Sequence, residues 1–103
     1  MTTWTVNRLS KEWVGPIVVA VDGDTVTGWT YAVLPLYTAP ATVDDLDAAP
    51  STLDGGLGIL VGPGSDHDLE PGEYTIWVRY VDSPEEPVLA DVGRITITRG
   101  VNP

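Results

Sequence analysis

The chain has no cysteine, no phenylalanine and one methionine, and only five of its 103 residues are Lys or Arg. Without cysteine there is no disulfide framework, no zinc knuckle and no thiol chemistry. Without Phe, the core must rest on Val, Ile, Leu, Tyr and Trp, residues that are mostly favoured in strands. No apolar run approaches the ~18 residues of a membrane span, so no membrane partner is expected. The N-terminus, Met1 to Val6, has neither a basic n-region nor an apolar h-region. It is not read as a signal peptide, and synthesis in the cytoplasm is expected. No internal repeat and no low-complexity tract occurs.

Basic charge is scarce and unevenly placed. From Glu12 to Val78 there are eleven acidic residues and no Lys or Arg; Arg8 and Lys11 precede this region, and Arg79, Arg94 and Arg99 follow it. With a net charge of −10, most of the surface repels phosphate, so nucleic acid is not an expected partner. The acids keep the protein soluble, or they steer an acidic face onto a basic partner.

What is abundant is turn chemistry: eleven Gly and nine Pro in one domain-sized chain favour an all-β fold. The clearest strand follows the Pro71-Gly72 turn. Tyr74, Ile76, Val78 and Tyr80 alternate with Thr75, Trp77, Arg79 and Val81 before Pro84 ends the ladder. Thr3 to Leu9 reads as a first strand or an arm. Pro16 to Val21 reads as a buried strand before an Asp22-Gly23-Asp24 turn, and Thr25 to Tyr37, Leu57 to Gly62 and Val88 to Arg99 as further strands. In the long connection, residues 38–56, Thr42 can cap a short helical turn over Val43–Asp47.

About seven short strands with turns every ten residues or so predict an Ig-like antiparallel β-sandwich, with at most one helical turn in the 38–56 connection. Tyr74 sits where a tyrosine corner would be. The expected organisation is an N-terminal edge strand or arm over 1–13, a single sandwich domain over 14–100 and a tail over 101–103.

Three constellations bear on chemistry. His67, the one histidine, is flanked by Asp66 and Asp68 with Ser65 adjacent. These are sequence neighbours in a glycine-rich turn with no Gly-x-Ser-x-Gly, so the expectation is a solvated turn and no catalytic residue. Acidic groups at Asp22/Asp24, Asp44/Asp45/Asp47 and Asp66/Asp68/Glu70 serve turns and caps, or pool from one end of the sandwich to bind calcium. No cofactor is assigned. Trp77 with Arg79 has the composition of an interface anchor; alternatively Trp77 packs across the sheet with Arg79 stacked on it. Trp4 and Trp13, two indoles in the first thirteen residues, need something to cover them. Trp4, Trp13, Trp77 and Arg79 are therefore the candidate protein-interface residues. Removing residues 1–13 is expected to abolish docking and leave the fold.

The run Leu69-Glu-Pro-Gly-Glu-Tyr-Thr-Ile-Trp-Val-Arg-Tyr-Val-Asp-Ser-Pro-Glu-Glu-Pro-Val88, followed by Gly93-Arg-Ile-Thr-Ile-Thr98, resembles small Ig-like virion proteins of tailed bacteriophages infecting actinobacteria. The likeness covers roughly residues 57–98; the N-terminal half matches only in its general strand pattern. It implies a non-enzymatic structural protein, a capsid decoration or a head-tail connector, assembled in the host cytoplasm. Its partners would be other virion proteins, met in multiple symmetric copies. The rival expectation is a carbohydrate-binding Ig-like module, with Trp77 and neighbouring aromatics as a sugar platform and acid-loop calcium.

Overall fold

A computed structural model of the chain describes residues 2–26, 28–53 and 56–99. Among these residues there are nine strands and one 3-10 turn. The strands are β1 (Thr3–Asn7), β2 (Glu12–Ile17), β3 (Val19–Val21), β4 (Asp24–Val26), β5 (Thr30–Pro35), β6 (Ser51–Leu53), β7 (Gly56–Val61), β8 (Gly72–Arg79) and β9 (Val88–Thr98); the 3-10 turn is Val43–Leu46. They form a four-stranded sheet ordered β1-β9-β8-β5, a three-stranded sheet ordered β2-β7-β6, and a small β3-β4 ribbon. The protein is all-β, a sandwich of packed sheets. No helix among the described residues is long and apolar enough to cross a membrane.

The alternation in β8 organises the core. Ile76 and Val78 are fully buried and Tyr80 nearly so. Opposite them in register lie Val33 and Tyr31 of β5 on one side, and Gly93 and Leu89 of β9 on the other. Val14 and Ile17 of β2 and Ile59 and Val61 of β7 bring the second sheet's inner face into the same cluster. The expected corner is present: the Tyr74 hydroxyl donates to the Glu70 carbonyl at 2.7 Å, tying the head of β8 to the turn before it.

Three features depart from the sequence reading. First, β1 runs parallel to β9, so the sandwich is not wholly antiparallel: the first strand has joined the sheet of the last. Val6 is buried there beside Ile97, and Trp4 packs over Gly93, where an added Cβ would lie 2.7 Å from the indole Cζ3.

Second, there are more than seven strands. The expected 16–21 strand is divided between β2 and β3, and the 25–37 strand between β4 and β5. The β2–β7 register shifts between Val14 and Ile17, around Pro16, which has no N–H for the ladder. Asp22 and Gly23 both have positive φ (51° and 85°), the form of a two-residue hairpin turn that folds β4 back on β3.

Third, the helical turn is a 3-10 turn of Val43–Leu46, one residue shorter than expected, and Thr42, its expected N-cap, shares a capping box with Asp45. The Asp45 carboxylate accepts N–H bonds from Ala41 and Thr42 at 2.9 and 3.2 Å. The expected tail, residues 101–103, lies outside the described residues.

Candidate functional site

The four candidate interface residues meet four different fates. Trp4 lies on the inward side of β1 and packs against the core. Residues 1–13 are therefore not a separable arm: deleting them removes Trp4, Val6 and the opening of β2, and with them part of the core.

Trp77 points to the outer face of β8, as the alternation requires, and that face is partly covered, leaving Trp77 half-buried. The connection after β5 crosses it, and its 3-10 turn packs on β5 and β8. Leu46 is only 2% exposed yet stands apart from the main core cluster. It shares a 310 Å³ groove with Trp77, Pro40 and Val88. The Trp77 indole N–H is buried with no acceptor. Arg79 is not stacked on an indole; its guanidinium pairs with Glu86. Trp77 is thus half-buried and without the stacked Arg79.

Trp13 is different. It stands on the outer face of the three-stranded sheet, opposite Leu60 of β7, and is 48% exposed. Gly15 and Gly58 line the same face and leave room for the Leu53 side chain to lie flat against it. The Leu53 side chain lies over both glycines, so closely at Gly58 that a Cβ there would collide with it. The outcome is an open apolar surface with one large aromatic on it.

Beside Trp13 is a 270 Å³ cleft lined also by Tyr31, Leu60, Ser51, Asp66 and His67. Its far wall is built by two long-range contacts. The Tyr31 N–H donates to the Ala48 carbonyl at 2.9 Å, fastening the long connection to β5. The Tyr31 hydroxyl lies 2.7 Å from His67 Nε2, with the rings 5.4 Å apart. Trp29 meets the other side of Tyr31 edge-on at 6.1 Å. The His67 turn thus docks on the sandwich, which departs from the expected solvated turn.

Burial pushes the His67 pKa below its usual value, against the smaller pull of Asp66. Burial, and then Asp66, push the Tyr31 phenol up. At neutral pH the imidazole is uncharged and the phenol protonated. Either the phenol donates to a bare Nε2, or a protonated Nε2 donates to the phenol oxygen.

Ser65 is committed elsewhere. Its hydroxyl donates to the Gly62 carbonyl at 2.6 Å and accepts the His67 backbone N–H at 3.1 Å. It clips the turn and makes no bond to the imidazole.

Among the described residues no group of three or more His, Asp or Glu could hold a metal ion. Among the described aromatics Trp29 is buried, Tyr37 and Trp77 line one hollow on the outer face of the four-stranded sheet, and Trp13 stands with Leu60 on the other sheet.

The sequence reading missed the Tyr31–His67 contact and the cleft it walls. A half-hidden signal existed in Tyr31, placed at the centre of an apolar alternation where a hydroxyl must find a partner. Nothing local to the chain identified that partner as His67, thirty-six residues away. No known protein family, curated protein or solved structure matches the chain.

Proposed function

We propose that this chain is a non-enzymatic structural domain of a tailed-phage virion, docking on capsid, connector or tail proteins through the outer face of its three-stranded sheet. The observation that carries the docking role is Trp13. Trp29 is buried and Trp4 and Trp77 are half-buried against the chain itself, whereas Trp13 stays 48% exposed beside Leu60 and a cleft. An exposed indole on an open apolar face is the composition of a binding hot spot. The virion assignment is supported by the resemblance carried by the Leu69–Val88 and Gly93–Thr98 runs.

Peptide mass spectrometry of purified particles, scaled to the major capsid protein, tests the assignment. Hundreds of copies mean a capsid decoration, and about a dozen mean a neck or tail part. Complete absence from particles sinks the virion reading.

One observation favours a second reading. Trp13 borders polar groups of Ser51, Asp66 and His67, an arrangement that suits a sugar stacked on the indole. Titration with glycans, read by tryptophan emission in wild type and Trp13→Ala, separates the two. A saturable shift confined to wild type moves the sugar-binding reading ahead.

A further inference from the structure

The outer face of the four-stranded sheet carries a hollow of 330 Å³ whose two walls are both built on unfavourable backbone. The first wall is the turn after β5. The Thr38 N–H donates to the Pro35 carbonyl at 2.9 Å, and the Leu36 N–H donates to the Glu73 carbonyl at 3.0 Å, tying the turn to β8. Tyr37, at the third position, has φ 68°, left-handed backbone that turns usually give to Gly or Asn. A tyrosine there is strained. Its ring gains no packing in return, because Tyr37 is 94% exposed.

The second wall is a bulge in β9. Ile76 pairs with Gly93 and Val78 with Leu89, so Ala90, Asp91 and Val92 stand opposite Trp77 alone. Asp91, at the middle of the bulge, is also left-handed at φ 57°. Bulges of this kind re-aim a side chain. Here the Asp91 carboxylate meets the Arg94 guanidinium as a fork, Nε to Oδ1 at 3.3 Å and Nη2 to Oδ2 at 3.0 Å. Among the described residues three non-glycines have left-handed backbone. Asp22 belongs to the β3–β4 turn, and the other two, Tyr37 and Asp91, line this one hollow. Between them lies Trp77, half-buried, with its indole N–H buried and unpaired. Strain and an unpaired donor gathered in one place are costs that stability alone does not select.

We propose that this hollow binds a neutral pyranose, its ring packed against Tyr37 and Trp77 and two adjacent hydroxyls held by the Asp91–Arg94 fork. The charge balance selects a neutral ligand. Asp91 already neutralises Arg94, and Glu73 stands one ladder step further along the same face, so an anion finds no free cation there. The fork offers carboxylate lone pairs beside spare guanidinium N–H groups. A vicinal diol, each hydroxyl both donor and acceptor, can use the two together. The exposed phenol ring suits the C–H face of a sugar, and the Thr38 hydroxyl lies on the rim. A volume at the low end of ligand sites fits one ring. The site lies on the opposite sheet from Trp13 and rests on neither docking reading.

The test is ¹H–¹⁵N NMR of the full chain titrated with the methyl glycosides of glucose, mannose and galactose and with N-acetylglucosamine. The Trp77 indole signal is assigned by its loss in Trp77→Phe. At least one sugar is expected to shift that signal saturably in the millimolar range. Tyr37→Gly, which relieves the left-handed backbone, is expected to melt no lower than wild type yet bind at least about tenfold more weakly. Asp91→Asn, which also tolerates that backbone, is expected to weaken binding, and Trp13→Ala to leave it unchanged. No saturable shift with any of these sugars up to about 50 mM overturns the proposal. So does Tyr37→Gly or Asp91→Asn binding as tightly as wild type, or binding that is lost only in Trp13→Ala. Each of these results leaves the particle mass-spectrometry test standing.

Discussion

The two sheets share one core but differ on their outer faces. The four-stranded sheet is roofed: the connection after β5 lays Leu46 over β5 and β8, and Trp77 lies beneath the crossing with its N–H unpaired. The three-stranded sheet is open, with Trp13 and Leu60 facing outward over a glycine-lined surface. Two tryptophans in equivalent outward positions on strands thus differ in exposure, Trp77 half-buried and Trp13 48% exposed. The difference lies in what crosses above the strand, not in the strand itself.

Breaking the roof has the largest expected effect. Leu46→Ala removes a fully buried side chain that anchors the connection, and is expected to cost about 2–4 kcal/mol in urea or guanidinium unfolding. A loss below 1 kcal/mol would mean that the roof contributes little and that the two faces differ less than described.

Next is the corner that orients β8, the strand carrying Trp77. Tyr74→Phe keeps the ring and deletes the bond to the Glu70 carbonyl, at an expected cost of about 1 kcal/mol in the same assay.

The open side is sharpened by pH. His67 has a lowered pKa in the folded protein, so between that value and the unfolded value of about 6.5 the unfolded chain binds more protons. Its contribution to stability is complete above about pH 6.5 and is lost as pH falls through that window. Melting temperatures of wild type and His67→Gln are therefore expected to converge on acidification, and parallel curves would refute the sign.

The smallest effect on stability, and the most telling, is expected at Trp13. Trp13→Ala at a half-exposed outer position is expected to change unfolding free energy by about 0.5 kcal/mol or less. It is also expected to lower recovery of the protein in purified particles. Loss of stability without loss of docking would assign Trp13 the role described for Trp77.

Local chemistry made much of this legible. The period-two alternation of Tyr74, Ile76, Val78 and Tyr80 marked the core face of β8, because successive strand side chains point to opposite sides. The Pro-Gly-x-Tyr spacing marked the corner, since a tyrosine one short turn downstream can reach back to a carbonyl. Asp22-Gly23 marked a turn because both residues tolerate positive φ. Each signal is contained within a few consecutive residues.

Only the tertiary structure decided the rest. The parallel seat of β1 depends on β9, whose paired residues lie 91 positions later. The covering of Trp77 depends on where a proline-rich connection crosses, and the pairing of Tyr31 with His67 on how a distant turn docks. The single chain determined an all-β sandwich with a tyrosine corner, through side-chain period and backbone freedom at its turns. Which aromatic faces stay open was decided by long-range packing, because burial is settled by whatever segment arrives above a residue and not by the residue's immediate neighbours.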